Sequence, residues 1–224
     1  MYEIEVKVLL GSHENAEKLL ASVERIGMEC IHTGHENQLN HYFSGGSLVK
    51  LAEAFRGQLS DERYESLSVI AASARDFSVR TRDTMTERIL VVKASVNADS
   101  SQNGTARREW ETIFPELSID ELDRIVLSAG FTYLSKWSRE RDSYVLENDL
   151  TLTIDKNAGY GYVAEFERVI DDEQMAGHNR DYITAVIESL GFHELPQDRL
   201  ERMFAHYNER WNDYYGTDRV FTVE

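Results

Sequence analysis

Apolar and charged residues alternate at the start of the chain. Ile4, Val6 and Val8 fall on one side and Glu3, Glu5 and Lys7 on the other, which is the period of a β-strand over residues 2–10. The period then changes. Ala16, Leu19, Leu20, Val23 and Ile26 recur at helical spacing between Ser12, a good N-cap, and Gly27, a good stop, so residues 12–27 are expected to form a helix with that stripe inward. A short strand is expected at 37–43, followed by a long helical stretch at 47–75 that divides most naturally at Ser60-Asp61. Strands are predicted at 76–83, 87–95 and 106–114, with the polar segment 97–105 as a hairpin loop. A helix at 118–129, ended by Gly130, precedes strands at 131–138, 139–147, 149–155 and 161–170, with turns at Asn148-Asp149 and Asn157-Ala158-Gly159. Residues 173–190 and 196–212 read as helices separated by Gly191 and Pro196, the second carrying a core stripe of Leu200, Met203, Phe204, Tyr207 and Trp211; 219–223 is a candidate edge strand. Many antiparallel strands with helices at their connections predict an α+β architecture on one curved sheet or barrel.

Composition narrows the class. The chain has 224 residues, 42% of them hydrophobic, and 11 Tyr and 9 Phe are enough for a packed core. Its single cysteine, Cys30, permits no intrachain disulfide, is expected to serve in packing, and suits a reducing, cytoplasmic setting. The N-terminal residues are charged from Glu3 onward and contain no apolar signal region, and no segment is apolar enough to span a bilayer. A net charge of −16 weighs against sequence-independent binding of DNA or RNA, though it leaves room for a local basic pocket.

The strand faces opposite the apolar ones carry the candidate chemistry. Arg80 and Arg82 align on one strand, and Lys93 faces the same way as Val91 and Ser95 on the next. Arg107, Glu109 and Glu111 align opposite Trp110, Arg139 aligns with Arg141, Asp155 with Thr151 and Thr153, and Glu165 with Glu167. Any one of these could be the wet face of an antiparallel sheet. Together they hold seven acids (Glu3, Glu5, Glu109, Glu111, Asp155, Glu165, Glu167) and seven bases (Lys7, Arg80, Arg82, Lys93, Arg107, Arg139, Arg141), with few of the neutral polar residues that wet faces usually mix in. Paired carboxylates repel unless a cation lies between them, and their hard oxygens select Mg²⁺ or Mn²⁺. Paired arginines match phosphate oxygens. Acids for metal and bases for phosphate are what polyphosphate chemistry requires.

The order of these residues resembles the CYTH superfamily, the triphosphate tunnel metalloenzymes. Glu3-x-Glu5-x-Lys7 resembles its N-terminal ExExK motif, and Arg80-x-Arg82, Lys93, Arg107-x-Glu109-x-Glu111, Arg139-x-Arg141 with Tyr144, Asp155 and Glu165-x-Glu167 follow in its sequence of strands. The resemblance implies a single CYTH-like domain over residues 1–224, an eight-stranded antiparallel β-barrel forming a tunnel with flanking helices. The helical stretch at about 47–75, read as an insertion, and the C-terminal helices at about 173–212 make it longer than minimal members. The resemblance also implies a metal-dependent hydrolase of inorganic triphosphate, a nucleoside triphosphate or thiamine triphosphate, soluble and monomeric or homodimeric. Lys7, Arg80, Arg82, Lys93, Arg107, Arg139 and Arg141 would hold the substrate, and Glu3, Glu5, Asp155, Glu165 and Glu167 would hold Mg²⁺ or Mn²⁺. Glu109 and Glu111, with Lys7, would serve the chemistry by holding a second metal or orienting the attacking water. Two alternatives remain open at this stage: a class IV adenylyl cyclase converting ATP to cyclic AMP and pyrophosphate, and a non-catalytic polyphosphate- or nucleotide-binding module.

Other motifs carry less. Seven histidines are scattered, and His32-x-x-His35 has metal-like spacing without a third ligand beside it in the sequence. Gly45-Gly46 and Gly159-x-Gly161 read as turns. Trp137 is expected in the core or at a rim, and Lys136 is out of phase with the Arg139 pair.

Overall fold

The computed structural model describes residues 2–95 and 108–223. Eight strands and six α-helices alternate along them: β1 (Tyr2–Gly11), α1 (His13–Arg25), β2 (Cys30–Gly45), α2 (Leu48–Phe55), α3 (Asp61–Ser73), β3 (Asp76–Asp83), β4 (Arg88–Ser95), β5 (Arg108–Ile113), α4 (Ile119–Ser128), β6 (Phe131–Leu146), β7 (Thr151–Asn157), β8 (Gly161–Ile170), α5 (Ala176–Ser189) and α6 (Gln197–Tyr214). The strands form one sheet in the order β1-β8-β7-β6-β2-β3-β4-β5. Their pairings are antiparallel. The eight antiparallel strands with flanking helices agree with the expected fold class; among the described residues β1 and β5 are the two ends of the ladder.

Two compact units share these elements. The first is built from the described residues up to Asn37 and from Ser138 onward, the second from those between Gln38 and Trp137. The long strands β2 and β6 contribute to both.

In the first unit β1 turns Ile4, Val6, Val8 and Leu10 into a core, none of them more than 3% exposed. Leu19 and Val23 of α1, Leu152 of β7, Phe166 of β8 and Ile183 and Ile187 of α5 complete it. Complete burial of one such side chain is worth about 1.5–3 kcal/mol, so this row alone fixes which face of β1 is outward. Ser12 caps α1, its hydroxyl accepting from the Asn15 amide at 3.3 Å. Ile26, expected inward, lies past the last helical turn and is 43% exposed. The turn from β7 to β8 needs glycine. Gly159 and Gly161 have φ of +86° and +70°, and a Cβ at Gly161 would lie 2.4 Å from the Gly11 carbonyl oxygen. The tail reaches this turn as a single parallel bridge, Gly159 with Val220, rather than as an edge strand. Gly159 donates its amide to the Arg219 carbonyl at 2.7 Å and accepts from the Phe221 amide at 2.8 Å. Phe221 packs among Tyr160, His206, Tyr207 and Tyr214. Of the predicted α6 stripe, Leu200, Met203 and Tyr207 are buried, while Phe204 and Trp211 are half-buried.

In the second unit Phe43, Val79, Leu90, Val92 and Trp110 pack against Leu51 and Phe55 of α2, Leu67 of α3 and Leu122 and Val126 of α4. The helical stretch does divide at Ser60, whose side chain caps α3. Ser118 and Glu121 form a reciprocal capping box on α4.

Two strand assignments differ from expectation. Cys30–Gly45 is one strand, starting seven residues before the expected start at 37, and Phe131–Leu146 is one strand rather than two. Cys30 is exposed rather than packed. The expected hairpin loop at 97–105 lies outside the described residues, as does Arg107.

Candidate functional site: two charged strand faces

The register in the first unit places one row of charged residues across four strands. Glu5 lies opposite Glu167 and Lys7 opposite Glu165; Glu165 lies opposite Thr153, and Asp155 opposite Arg141. Glu3, opposite Val169, and Arg139, opposite Asn157, extend the same face. The structure ties most of this row together. The Lys7 ammonium pairs with Glu5 and lies 2.5 Å from Glu165 Oε1. Arg141 Nη2 donates to Glu165 Oε2 at 2.5 Å and to Asp155 Oδ2 at 2.7 Å, and its Nε donates to Asp155 Oδ1 at 2.6 Å. Arg139 Nη1 donates to Asp155 Oδ2 at 2.8 Å. Burial alone would push the Glu165 carboxyl up, but the charges of Lys7, Arg141 and Arg139 outweigh it and hold it well below the usual carboxylate range. The same balance holds Lys7 above the ordinary lysine value: burial pulls it down, and Glu165 and Glu5 more than offset that. Across from Glu165 on β7, the Thr153 hydroxyl is buried with no hydrogen-bond partner.

The second unit has a face of the same kind with the opposite balance. Asn40 lies opposite Arg82, Tyr42 opposite Arg80, Ser78 opposite Lys93, and Lys93 opposite Glu109. Arg82 Nε donates to Asn40 Oδ1 at 3.2 Å, and Arg80 Nη1 to the Tyr42 hydroxyl at 3.0 Å. Lys93 Nζ lies 2.6 Å from Glu109 Oε2; Arg80 Nη2 is 3.7 Å from Glu109 Oε1, and Arg82 Nη1 is 3.4 Å from Glu111 Oε1. Arg80 Nε is buried with no hydrogen-bond partner, so this guanidinium has a donor without an acceptor. Glu111 is raised above the ordinary range, first by burial and then by a hydrogen bond with Glu109, against the pull of Arg82. Three bases therefore face two acids here, whereas the first unit sets three bases against five acids.

Arg63 has no place in the sequence prediction. It reaches from α3 to β5, donating from Nε to the Thr112 hydroxyl at 2.9 Å and from Nη2 to the Glu111 carbonyl. Its guanidinium also lies over the Trp110 ring at 4.9 Å. This α3 residue thus pins the backbone at one of the site's carboxylates.

Several candidates lie elsewhere. Tyr144, out of phase with Arg139 and Arg141, contacts His32 on the opposite face. His32 and His35 do meet a third group, both ring nitrogens approaching Asp142 Oδ1 at 3.1 and 3.0 Å, in an exposed position. Lys136 lies over the Tyr133 ring at 4.5 Å, and Trp137 is buried and donates to Ser135 Oγ.

The acids can be tested against the metal that the resemblance implies. An all-carboxylate donor set suits Mg²⁺ or Mn²⁺. Among the described residues no three His, Cys, Asp or Glu groups are arranged to hold a metal ion. Both Asp155 oxygens already accept from guanidiniums, and Glu165 is shared between Lys7 and Arg141. Glu5, itself paired with Lys7, lies directly opposite Glu167, and these two facing carboxylates are the part of the row whose donor chemistry suits a cation.

No family model and no curated protein matches the chain. Solved structures do. The PH1819 protein of Pyrococcus horikoshii OT3 superposes with a TM-score of 0.62 over 92% of this chain and 99% of its own, at 18% identity. A candidate adenylate cyclase of Vibrio parahaemolyticus gives 0.60 over 92% and 98%, at 15% identity. The candidate adenylyl cyclase HpAC1 of Hippeastrum, described as having a dominant triphosphatase activity, gives 0.52 over 92% and 96%, at 15% identity. The likeness is one of fold: an eight-stranded antiparallel sheet with flanking helices. In each unit the charged row sits on the sheet face opposite that unit's helix-packed core. No helix among the described residues is long and apolar enough to cross a membrane.

Proposed function

We propose that this chain is a divalent-metal-dependent triphosphatase. The observation that carries the reading is the burial of its bases. The side chains of Lys7, Arg80, Arg82, Lys93, Arg139 and Arg141 are 21, 13, 12, 15, 9 and 16% exposed. A merely wet strand face would leave long basic side chains largely in solvent. In each unit three largely covered cations, one of those in the second unit with an unpartnered donor, match a ligand carrying many anionic oxygens. Each unit is read by itself: Arg80, Arg82 and Lys93 offer one trio of bases to phosphate oxygens, and Lys7, Arg139 and Arg141 offer another. The opposed carboxylates Glu5 and Glu167 would hold Mg²⁺ or Mn²⁺, which would supply charge neutralisation at the phosphoryl oxygens when bound. Glu111, its side chain 38% exposed and its carboxyl raised above the ordinary range by burial, would orient water and accept its proton. Hydrolysis is preferred to cyclisation because HpAC1, alike in fold, is described by its dominant triphosphatase activity.

The test is a product assay. Inorganic triphosphate, ATP and thiamine triphosphate are incubated with the protein and Mg²⁺ or Mn²⁺, and orthophosphate, pyrophosphate and cyclic AMP are measured separately. Orthophosphate release that stops with chelator is expected. Cyclic AMP with pyrophosphate from ATP would make the chain a cyclase instead, and binding without any product would make it a binding module.

A further inference from the structure

Behind the arginine-bearing face of the second unit lies a buried polar cluster. Asp123, on the inward stripe of α4 with Leu122 and Val126, is 1% exposed. Its Oδ1 accepts from the Thr81 hydroxyl at 2.6 Å, and its Oδ2 accepts from the Tyr133 hydroxyl at 2.6 Å and lies 2.7 Å from His41 Nδ1. Burial would raise this carboxyl, but the hydrogen bonds from His41, Thr81 and Tyr133 outweigh it and hold it below its ordinary value.

The register gives the cluster its meaning. His41 and Thr81 are direct partners across β2 and β3. The pairs on either side of them are Asn40 with Arg82 and Tyr42 with Arg80, which point to the opposite face. There Asn40 accepts from Arg82 and Tyr42 from Arg80. One helix carboxylate therefore clamps the single cross-strand pair that separates the two arginines and their partners. An apolar residue at 123 would serve stability as well or better, because a buried charge has to recover its desolvation cost. Apolar contacts tolerate small slides along a strand; three directed hydrogen bonds do not. A slip of one residue would turn both arginines to the wrong face.

We propose that Asp123 is a positioning residue for triphosphate binding: by holding His41 and Thr81 from behind the sheet, it fixes how Arg80 and Arg82 are aimed. The proposal rests on the phosphate-binding reading of those arginines. Its test is calorimetric titration of inorganic triphosphate into wild type, Thr81→Val, Thr81→Ser, Asp123→Asn and Arg80→Ala. The titrations run well below each melting midpoint, with circular dichroism confirming the folded state. Thr81→Val is expected to weaken binding about tenfold, with KM rising more than kcat falls, and Thr81→Ser to restore it by keeping the hydroxyl. Asp123→Asn should weaken binding at least as much, with no further loss when Thr81→Val is added. If Asp123→Asn does not fold, the valine and serine variants decide alone. Lower melting midpoints with unchanged affinity in Thr81→Val would overturn the positioning role and leave the arginine reading standing, provided Arg80→Ala loses binding. Wild-type affinity in Arg80→Ala would overturn both.

Discussion

Replacing Asp155 by Asn would separate two roles that the sequence alone leaves together. As a ligand in a crowded acid cluster, Asp155 should repel its neighbours in the metal-free protein, and its neutralisation should leave stability unchanged or slightly higher. The structure gives it a different part: it is wholly buried and accepts three hydrogen bonds from Arg139 and Arg141, at 2.8, 2.6 and 2.7 Å. Asparagine keeps one acceptor, so the two bonds to Oδ2 are lost and two buried guanidiniums are left short of charge. A hydrogen bond to a charged group is worth about 1.5–3 kcal/mol, and removing one partner of a buried ion pair costs about 3–5 kcal/mol. Arg141 keeps Glu165, which places the expected loss at about 4 kcal/mol. For a chain of this length about 2–4 °C of melting temperature accompanies each kcal/mol, so the metal-free midpoint should drop by roughly 8–16 °C. Thermal unfolding in chelator, followed by circular dichroism, measures it. A midpoint within about 2 °C of wild type would refute the counter-ion role, since that corresponds to about 1 kcal/mol or less.

The opposed acids behave differently. Mg²⁺ or Mn²⁺ should raise the wild-type midpoint by mass action, and Glu5→Gln and Glu167→Gln should each remove most of that rise; an intact rise in both variants would place the metal elsewhere. The acid limb of stability follows from depressed carboxyls. Glu165 and Asp123 bind protons more weakly folded than unfolded, so their contribution is complete above about pH 4.5 and is lost as pH falls through the folded values. Melting temperature measured between pH 2 and 5 should therefore fall less steeply in Glu165→Gln than in wild type, and parallel curves would remove Glu165 from the account.

Much of this was legible where one face of a strand is apolar. Ile4, Val6 and Val8 fixed β1, and β3 was predicted at 76–83, the span it occupies. The two long strands were not legible, for a physical reason. Around Ser138–Asp142 one face of β6 carries the site and the other carries Glu140 and Asp142, so no apolar alternation marks its continuation. The first part of β2, from Cys30 to Asn37, is mostly exposed on both faces and leaves the same silence. Residue types on the charged faces predicted phosphate and metal chemistry, but not that Asp155 spends both oxygens on arginines, because partnership across strands depends on register. Asp123 left a signal that was there to be read: an acid at an inward position of an amphipathic helix, and a histidine alternating with Phe43 on a strand's core side.

The strap of tail across the β7–β8 turn has a practical side. Residues 217–223 invite trimming, since most of them lie on the surface. Cutting there would strip Gly159 of both its main-chain bonds and bare Tyr160 and Tyr207, which are 8% and 0% exposed. That turn starts at Asn157, directly across from Arg139. A preparation shortened there would thus differ from the full sequence beside Arg139, one of the arginines proposed to bind phosphate. Any turnover measured on such material would describe the cut as much as the protein.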